Sequence, residues 1–236
     1  MMRFTSTMLT RWIGAAVLCT SLSACAAKEI PADWKSECVG RMALSLPGEA
    51  EVAANTPEML VSEYKVGSIQ PRFNFIDGQN AGWSAIRFLG RIYVSHALTV
   101  AKREQLMKAV ESYEERAKNW AMENKNNGDG EAFLFEKLNV KPHIGSARRV
   151  DSAYSASLFI EDHLIWLSSS GKNTNWTEQR KDFDLFMTGV ATRPIGHVPN
   201  KTGICLPYFF IKDEGGNGRQ IAMTYRLKGT QMSRSG

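Results

Sequence analysis

Four histidines, His96, His143, His163 and His197, are the residues from which acid–base or metal chemistry would have to be built. None forms a His-x-His or His-Glu-x-x-His pair, the spacing that brings two imidazoles onto one ion, so the local signature of a zinc hydrolase is absent. His163, between Asp162 and Leu164 in a strand-like run, reads as an exposed or hydrogen-bonded strand residue. His197, in a loop bracketed by Pro194 and Pro199, reads as structural or solvent-facing. Ser168, Ser169 and Ser170 before Gly171 imitate a nucleophile turn, but the chain has no Gly-x-Ser-x-Gly elbow and no adjacent base is suggested. A Ser-His-Asp set is defined by geometry, so the sequence alone does not exclude one. "GGNG" at 215–218 lacks the Lys-Ser/Thr ending of a phosphate loop, and "NNGDGE" at 126–131 is too short for an EF-hand calcium loop. These residues predict a protein without catalysis, metal or cofactor of its own, and without a small-molecule substrate.

The cysteines carry the chemistry that remains. Upstream of "TSLSACAAK" lie Arg3, Arg11 and the apolar run "WIGAAVLC", with no acidic residue before Glu29. A basic start, a short apolar run and a small-residue site make a secretory signal over residues 1–24. The run is shorter than the roughly 20 apolar residues a membrane span needs. Leu22-Ser23-Ala24-Cys25 resembles the bacterial lipoprotein signal, in which the thiol takes a lipid and becomes the first residue after cleavage. The alternative is an ordinary secretory signal that contains cysteines. On the lipoprotein reading Cys25 carries the lipid (palmitate), and the chain is anchored to the membrane on its periplasmic side. Ala26, standing where an inner-membrane retention signal would place Asp, favours the outer membrane.

Cys19 leaves with the signal, so Cys38 and Cys205 are left as a pair in an oxidising compartment. Either they bridge or they are two buried free thiols. A bridge would close a loop of roughly 170 residues, removing about 5 kcal/mol of denatured-state freedom in the chain-entropy model. They form no Cys-x-x-Cys unit, and nothing near them suggests a lowered thiol pKa, which argues against a redox centre.

Removing residues 1–24 takes away Arg3 and Arg11 and lowers the formal charge from +5 to +3. The remaining charges are mixed in sign, with no basic run interleaved with aromatics, which disfavours nucleic acid as a partner. About 200 residues remain to bury a core.

Elements to position any surface follow from periodicity. Residues 25–37 read as a lipidated tether, 38–228 as one α+β domain and 229–236 as a frayed tail. "RMALSLPG" alternates Met42, Leu44 and Leu46 as a half-buried strand stopped by Pro47-Gly48. "AEVAA", "MLVSEYKVGSI" and "WSAIRFLGRIYVS" read as further strands, and Asp77-Gly78 as a turn. Leu106, Val110, Tyr113, Ala117 and Trp120 step by four and three, predicting a helix over about 99–125. "EAFLFEKLNV", "RRVDSAYSAS" and "LFIEDHLIWLSSS" return to strand. A second helix, capped by Asn175 with Glu178 as partner, is expected over about 176–190. "GICLPYFFI" and "RQIAMTYRL" are expected to form a terminal hairpin about "KDEGGNG". The sum is an α+β fold, mostly antiparallel sheet with two main helices packed on one face.

Two end motifs carry a family resemblance. "CVGRMALSLPGEAEV" opens the folded part and "GICLPYFFI" closes it, so that Cys-x-Gly-Arg running into Leu-Pro is answered by Gly-x-Cys-Leu-Pro. They resemble the bacterial lipoproteins that protect against type VI secretion phospholipase effectors. More narrowly, they are similar to the amino-terminal domain of the immunity proteins to the fourth class of those lipases. The match covers roughly residues 38–212, with only the two ends distinctive. The resemblance implies a periplasmic protein that binds a cognate lipase and blocks its active site, and it makes Cys38 and Cys205 the candidate staple. It offers no motif for the effector-binding face; Trp83, Trp166 and Trp176 are candidate anchors, with core burial as their alternative role. Members generally continue into a second α+β domain, whereas this sequence stops nine residues after Leu227. That leaves two readings, a one-domain relative or a shortened gene. The competing function is a non-catalytic structural or assembly lipoprotein of the cell envelope; an exported hydrolase ranks last.

Overall fold

Gly40 turns the first hairpin of the chain at a φ of 56°, in the left-handed region that glycine enters without penalty. The structure, a computed structural model, describes residues 30–66, 72–82, 84–126, 134–169, 176–215 and 219–228. The expected leader, Cys25, the caps at Asn175, Trp83 and the tail at 229–236 lie outside them. The hairpin pairs β1 (Lys35–Val39) with β2 (Met42–Leu46). β1 begins at Lys35, inside the stretch expected to be tether.

β3 (Ala50–Val52) and β4 (Ala54–Asn55) follow, then α1 (Pro57–Val66). A strand is the expectation for "MLVSEYKVGSI", a short apolar run with no clear period of its own. Position decides otherwise. Thr56 caps the helix through Oγ1, which accepts from the Met59 amide at 3.4 Å. Pro57 takes the first helical position, where its missing N–H costs nothing. Leu60, Val61 and Tyr64 then fall on one buried face. β5 (Phe73–Asn74), β6 (Ala85–Arg87) and β7 (Arg91–Val94) come next, the last two from a segment expected to hold a single strand.

α2 (Val100–Asn126) is the long amphipathic helix its stripe implies, with Leu106 and Val110 buried. β8 (Phe135–Leu138), β9 (Ile144–Val150), β10 (Ala153–Ile160) and β11 (His163–Ser168) form an antiparallel meander. Asp151 and Glu161, at φ of 54° and 52°, make its tight turns. α3 (Trp176–Gly189) is followed by β12 (Val190–Thr192), β13 (Gly203–Leu206) and β14 (Phe209–Lys212). β15 (Gln220–Ala222) and β16 (Tyr225–Leu227) end the described chain. The expected terminal hairpin is not formed. "GICLPYFFI" folds on itself instead, β13 pairing β14 across Pro207 and Tyr208, while β15 pairs β6 and β16 pairs β3. Pro207 presets one turn position and Tyr208 adopts a φ of 59°, so the tight turn forms inside the run rather than at the glycines beyond it.

The class is α+β with a large antiparallel sheet, ordered β15-β6-β7-β11-β10-β9-β8. Its central strands are buried on both sides, so alternate residues meet different layers. Ile92, Val94, Tyr154, Ala156, Leu158, Ile165 and Leu167 face Phe183, Phe186 and Met187 of α3 and the small sheet β12-β14-β13. Tyr93, Phe159, Leu164 and Trp166 face Leu60, Val61 and Tyr64 of α1 and Leu106, Ala109 and Val110 of α2. The two main helices therefore lie on opposite faces of the sheet, not on one. The reason is the meander's continuous apolar strands, which leave both faces needing cover.

Candidate interaction surface

The two end motifs meet. Cys38 and Cys205 are joined by a disulfide with Cα atoms 5.7 Å apart, across a sequence separation of 167. The Gly40 amide donates to the Cys205 carbonyl at 3.0 Å, and the Cys205 amide donates back to the Gly40 carbonyl at 2.7 Å. Phe210 packs on the bridge, and the Tyr225 hydroxyl donates to the Cys38 carbonyl at 3.1 Å. Burial pushes that phenol well above its usual range.

Beside the bridge, Glu37 and Arg193 form a sealed ion pair. Glu37 Oε1 accepts from Arg193 Nη1 at 2.6 Å and from the Cys38 amide at 2.8 Å, while Oε2 accepts from the Gly196 amide at 2.7 Å. Arg193 also donates to the carbonyls of His197 and Leu206 at 2.9 and 3.2 Å. One guanidinium thus ties β1, the proline-bracketed loop and β13 together. His197 contributes its backbone there.

His96 and His163 are buried around Tyr208. His96 Nε2 donates to the Asn74 carbonyl at 2.7 Å, which leaves Nδ1 to accept from the Tyr208 hydroxyl at 3.1 Å. His163 stands edge-on to the Tyr208 ring, centroids 4.2 Å apart, with Nδ1 3.0 Å from Asp162 Oδ1. Burial holds both imidazoles below their ordinary range, against the opposing pull of Asp162 and Glu161 on His163. The same burial pushes the Tyr208 phenol up to about 12. Of the two readings of His163, an exposed or a hydrogen-bonded strand residue, exposure is the one that fails, since it opens β11 and is buried. Ser169 Oγ accepts from the Tyr154 amide at 2.7 Å. Among the described residues no group of three or more His, Cys, Asp or Glu could hold a metal ion, and no helix is long and apolar enough to cross a membrane. Trp166 is core, stacked on Tyr64 at 4.2 Å; Trp83 and the side chain of Trp176 lie outside the described residues.

An open surface remains where α1 and α2 stop short of β6 and β15. Ala85 and Arg87 are exposed on that side of β6 while Ile86 is buried on the other. A cleft of about 670 Å³ there is lined by Arg72, Phe73, Ser84, Arg87, Arg91 and Tyr93, among others. A second of about 540 Å³ shares Arg87, Arg91 and Tyr93 and reaches Glu63 and Tyr113. Their charged walls are Arg72, Arg87 and Arg91 against Glu63. Arg87 and Arg91 stand directly opposite across β6 and β7, so both side chains leave the sheet on the same face. Arg91 also hydrogen-bonds Tyr93, whose phenol is pushed up chiefly by burial. The sequence held a signal for this site, two arginines flanking "FLG", but only the turn at Leu89-Gly90 places them on one face.

No family model matches this chain, and no curated protein does. Solved structures do match. The immunity protein TplEi of the type VI secretion system (T6SS) of Pseudomonas aeruginosa, complexed with "L" peptide, aligns at 13% identity and a TM-score of 0.42 over 77% of this chain and 49% of its own. The Tle4–Tli4 complex aligns at 13% identity and a TM-score of 0.42, covering 78% and 52%. TplEi without peptide aligns at 13% identity and 0.37, covering 76% and 51%. This chain spans about half the length of these structures.

Proposed function

We propose that this chain is an immunity protein: exported, lipid-anchored through Cys25 on the periplasmic side of the membrane, and acting by stoichiometric binding to a secreted phospholipase effector. The observation that carries the reading is the junction of the two end motifs. Residues far apart in sequence, on which the family resemblance rests, form one unit through the Cys38–Cys205 bridge and the paired Gly40–Cys205 amides. The motif is therefore a built feature of the fold, not a coincidence of two short strings. Inhibition needs no chemistry from the inhibitor, only an interface of about 1,200–2,000 Å² with well-placed anchors. A lipid at Cys25 would hold the inhibitor where an incoming lipase attacks, at the outer membrane on the reading of Ala26.

The test mixes the purified chain with each phospholipase effector secreted by the producing cell in turn and follows phospholipid hydrolysis. Activity of one of them falling to a plateau at one equivalent is expected; activity of all of them unchanged at molar excess overturns the proposal. Mass spectrometry of the membrane fraction checks the anchor, a triacylated Cys25 being expected and an unprocessed chain with residues 1–24 in place refuting it.

A further inference from the structure

We infer that the arginine-lined cleft over β6 and β7 is the docking site for an acidic segment of the partner protein, an inference that rests on the immunity reading and names the face it uses. Three observations carry it. The cleft is strongly one-signed: Arg72, Arg87 and Arg91 line it against the single carboxylate of Glu63. Arg87 and Arg91 are held in direct cross-strand register, which brings two guanidinium-bearing side chains to one face of the sheet, where a carboxylate can be bonded by forked donors. Arg193, Arg219 and Arg226 are taken up by internal ion pairs, with Glu37, with Asp182, and with Glu51 and Asp77 respectively. No ion pair is made by Arg72 or Arg87 among the described residues.

The shape selects the occupant. A recess of about 670 Å³ beside the sheet, with Phe73 and Tyr93 in its wall, admits a loop or strand carrying Asp or Glu. A flat bilayer surface does not enter it, which disfavours lipid headgroups. Guanidinium forks match carboxylates in bidentate geometry, and aromatic walls cover the backbone that carries them.

The experiment measures affinity of the full chain for the phospholipase effector it inhibits, comparing wild type with Arg87→Glu, Arg72→Glu and a net-charge control, Lys108→Glu on the outer face of α2. Circular dichroism and Tm establish that each variant is folded, and the exposed Arg72 provides a second reversal if Arg87→Glu is not. The expected result is a loss of about tenfold or more for the cleft reversals, with wild-type affinity for the control and affinity falling with salt. An Asp or Glu to Lys change on the lipase that restores binding to Arg87→Glu completes the support. Wild-type binding that Arg87→Glu and Arg72→Glu leave intact overturns the inference and spares the immunity reading, as does an equal loss in the control. Anionic phosphatidylglycerol vesicles bound by wild type and not by Arg87→Glu, with lipase affinity unchanged, also overturn it. No wild-type binding to the lipase overturns the immunity reading itself.

Discussion

Arg193 Nη1 stands 2.6 Å from Glu37 Oε1, with solvent reaching only 1% of one side chain and 2% of the other. Removing one partner strands a buried charge. Glu37→Ala is expected to cost about 3–5 kcal/mol, read as a lowered urea midpoint. Replacing both residues by Met is expected to cost clearly less than the two single changes together. An unchanged midpoint for Glu37→Ala would contradict the sealed environment.

The Cys38–Cys205 bridge shortens the denatured chain. Cys38→Ala with Cys205→Ala is expected to lower unfolding free energy by about 2–5 kcal/mol. Thiol titration of the unfolded wild type without reductant should find neither cysteine; finding both free would remove the bridge.

Acid should weaken the fold through its buried imidazoles. Both His96 and His163 are held below the ordinary value of 6.5 by burial, so the unfolded chain binds protons that the folded chain refuses. Stability from this source is complete above that ordinary value and is lost as pH falls from it toward the depressed folded values. A Tm that drops between pH 7.5 and 5.5 (~ the imidazole range), with a shallower drop in His163→Phe, is expected. A flat profile in wild type would sink this account.

Gly145 sits at a φ of 145°, and a Cβ added there would lie 1.9 Å from the Ser157 carbonyl oxygen. Gly145→Ala should therefore cost about 2–3 kcal/mol by prying β9 from β10. Gly78, at a φ of 85° with open space around it, isolates the backbone penalty; Gly78→Ala should cost about 1–2 kcal/mol. Equal losses at both positions would show that the close approach contributes nothing.

Periodicity exposed much of the scaffold. The stripe of α2 is real at Leu106 and Val110, but it fails at Trp120, which is 49% exposed and borders a shallow cavity with Tyr113 and Arg148. α1 escaped because a short apolar run has no clear period, and its identity depends on Thr56 and Pro57 ahead of it. The misplaced terminal hairpin shows the same limit: "GGNG" is a stronger local turn signal than Pro207-Tyr208, yet β15 finds its partner in β6, far back in the chain. The candidate surface was the least legible part. Nothing local says that Glu37 will meet Arg193 across 156 positions, because that contact belongs to long-range pairing, while the two arginines flanking "FLG" reach one face only through the tight turn between β6 and β7.

The bridge also sets how this molecule would carry a mechanical load. Tension applied between the two ends of the chain reaches Cys38 and crosses to Cys205 through a covalent link whose Cα span is 5.7 Å. The intervening polypeptide, with the whole seven-stranded sheet except β15 inside it, is shunted out of the force path. Only the segments outside the two cysteines can be paid out as slack.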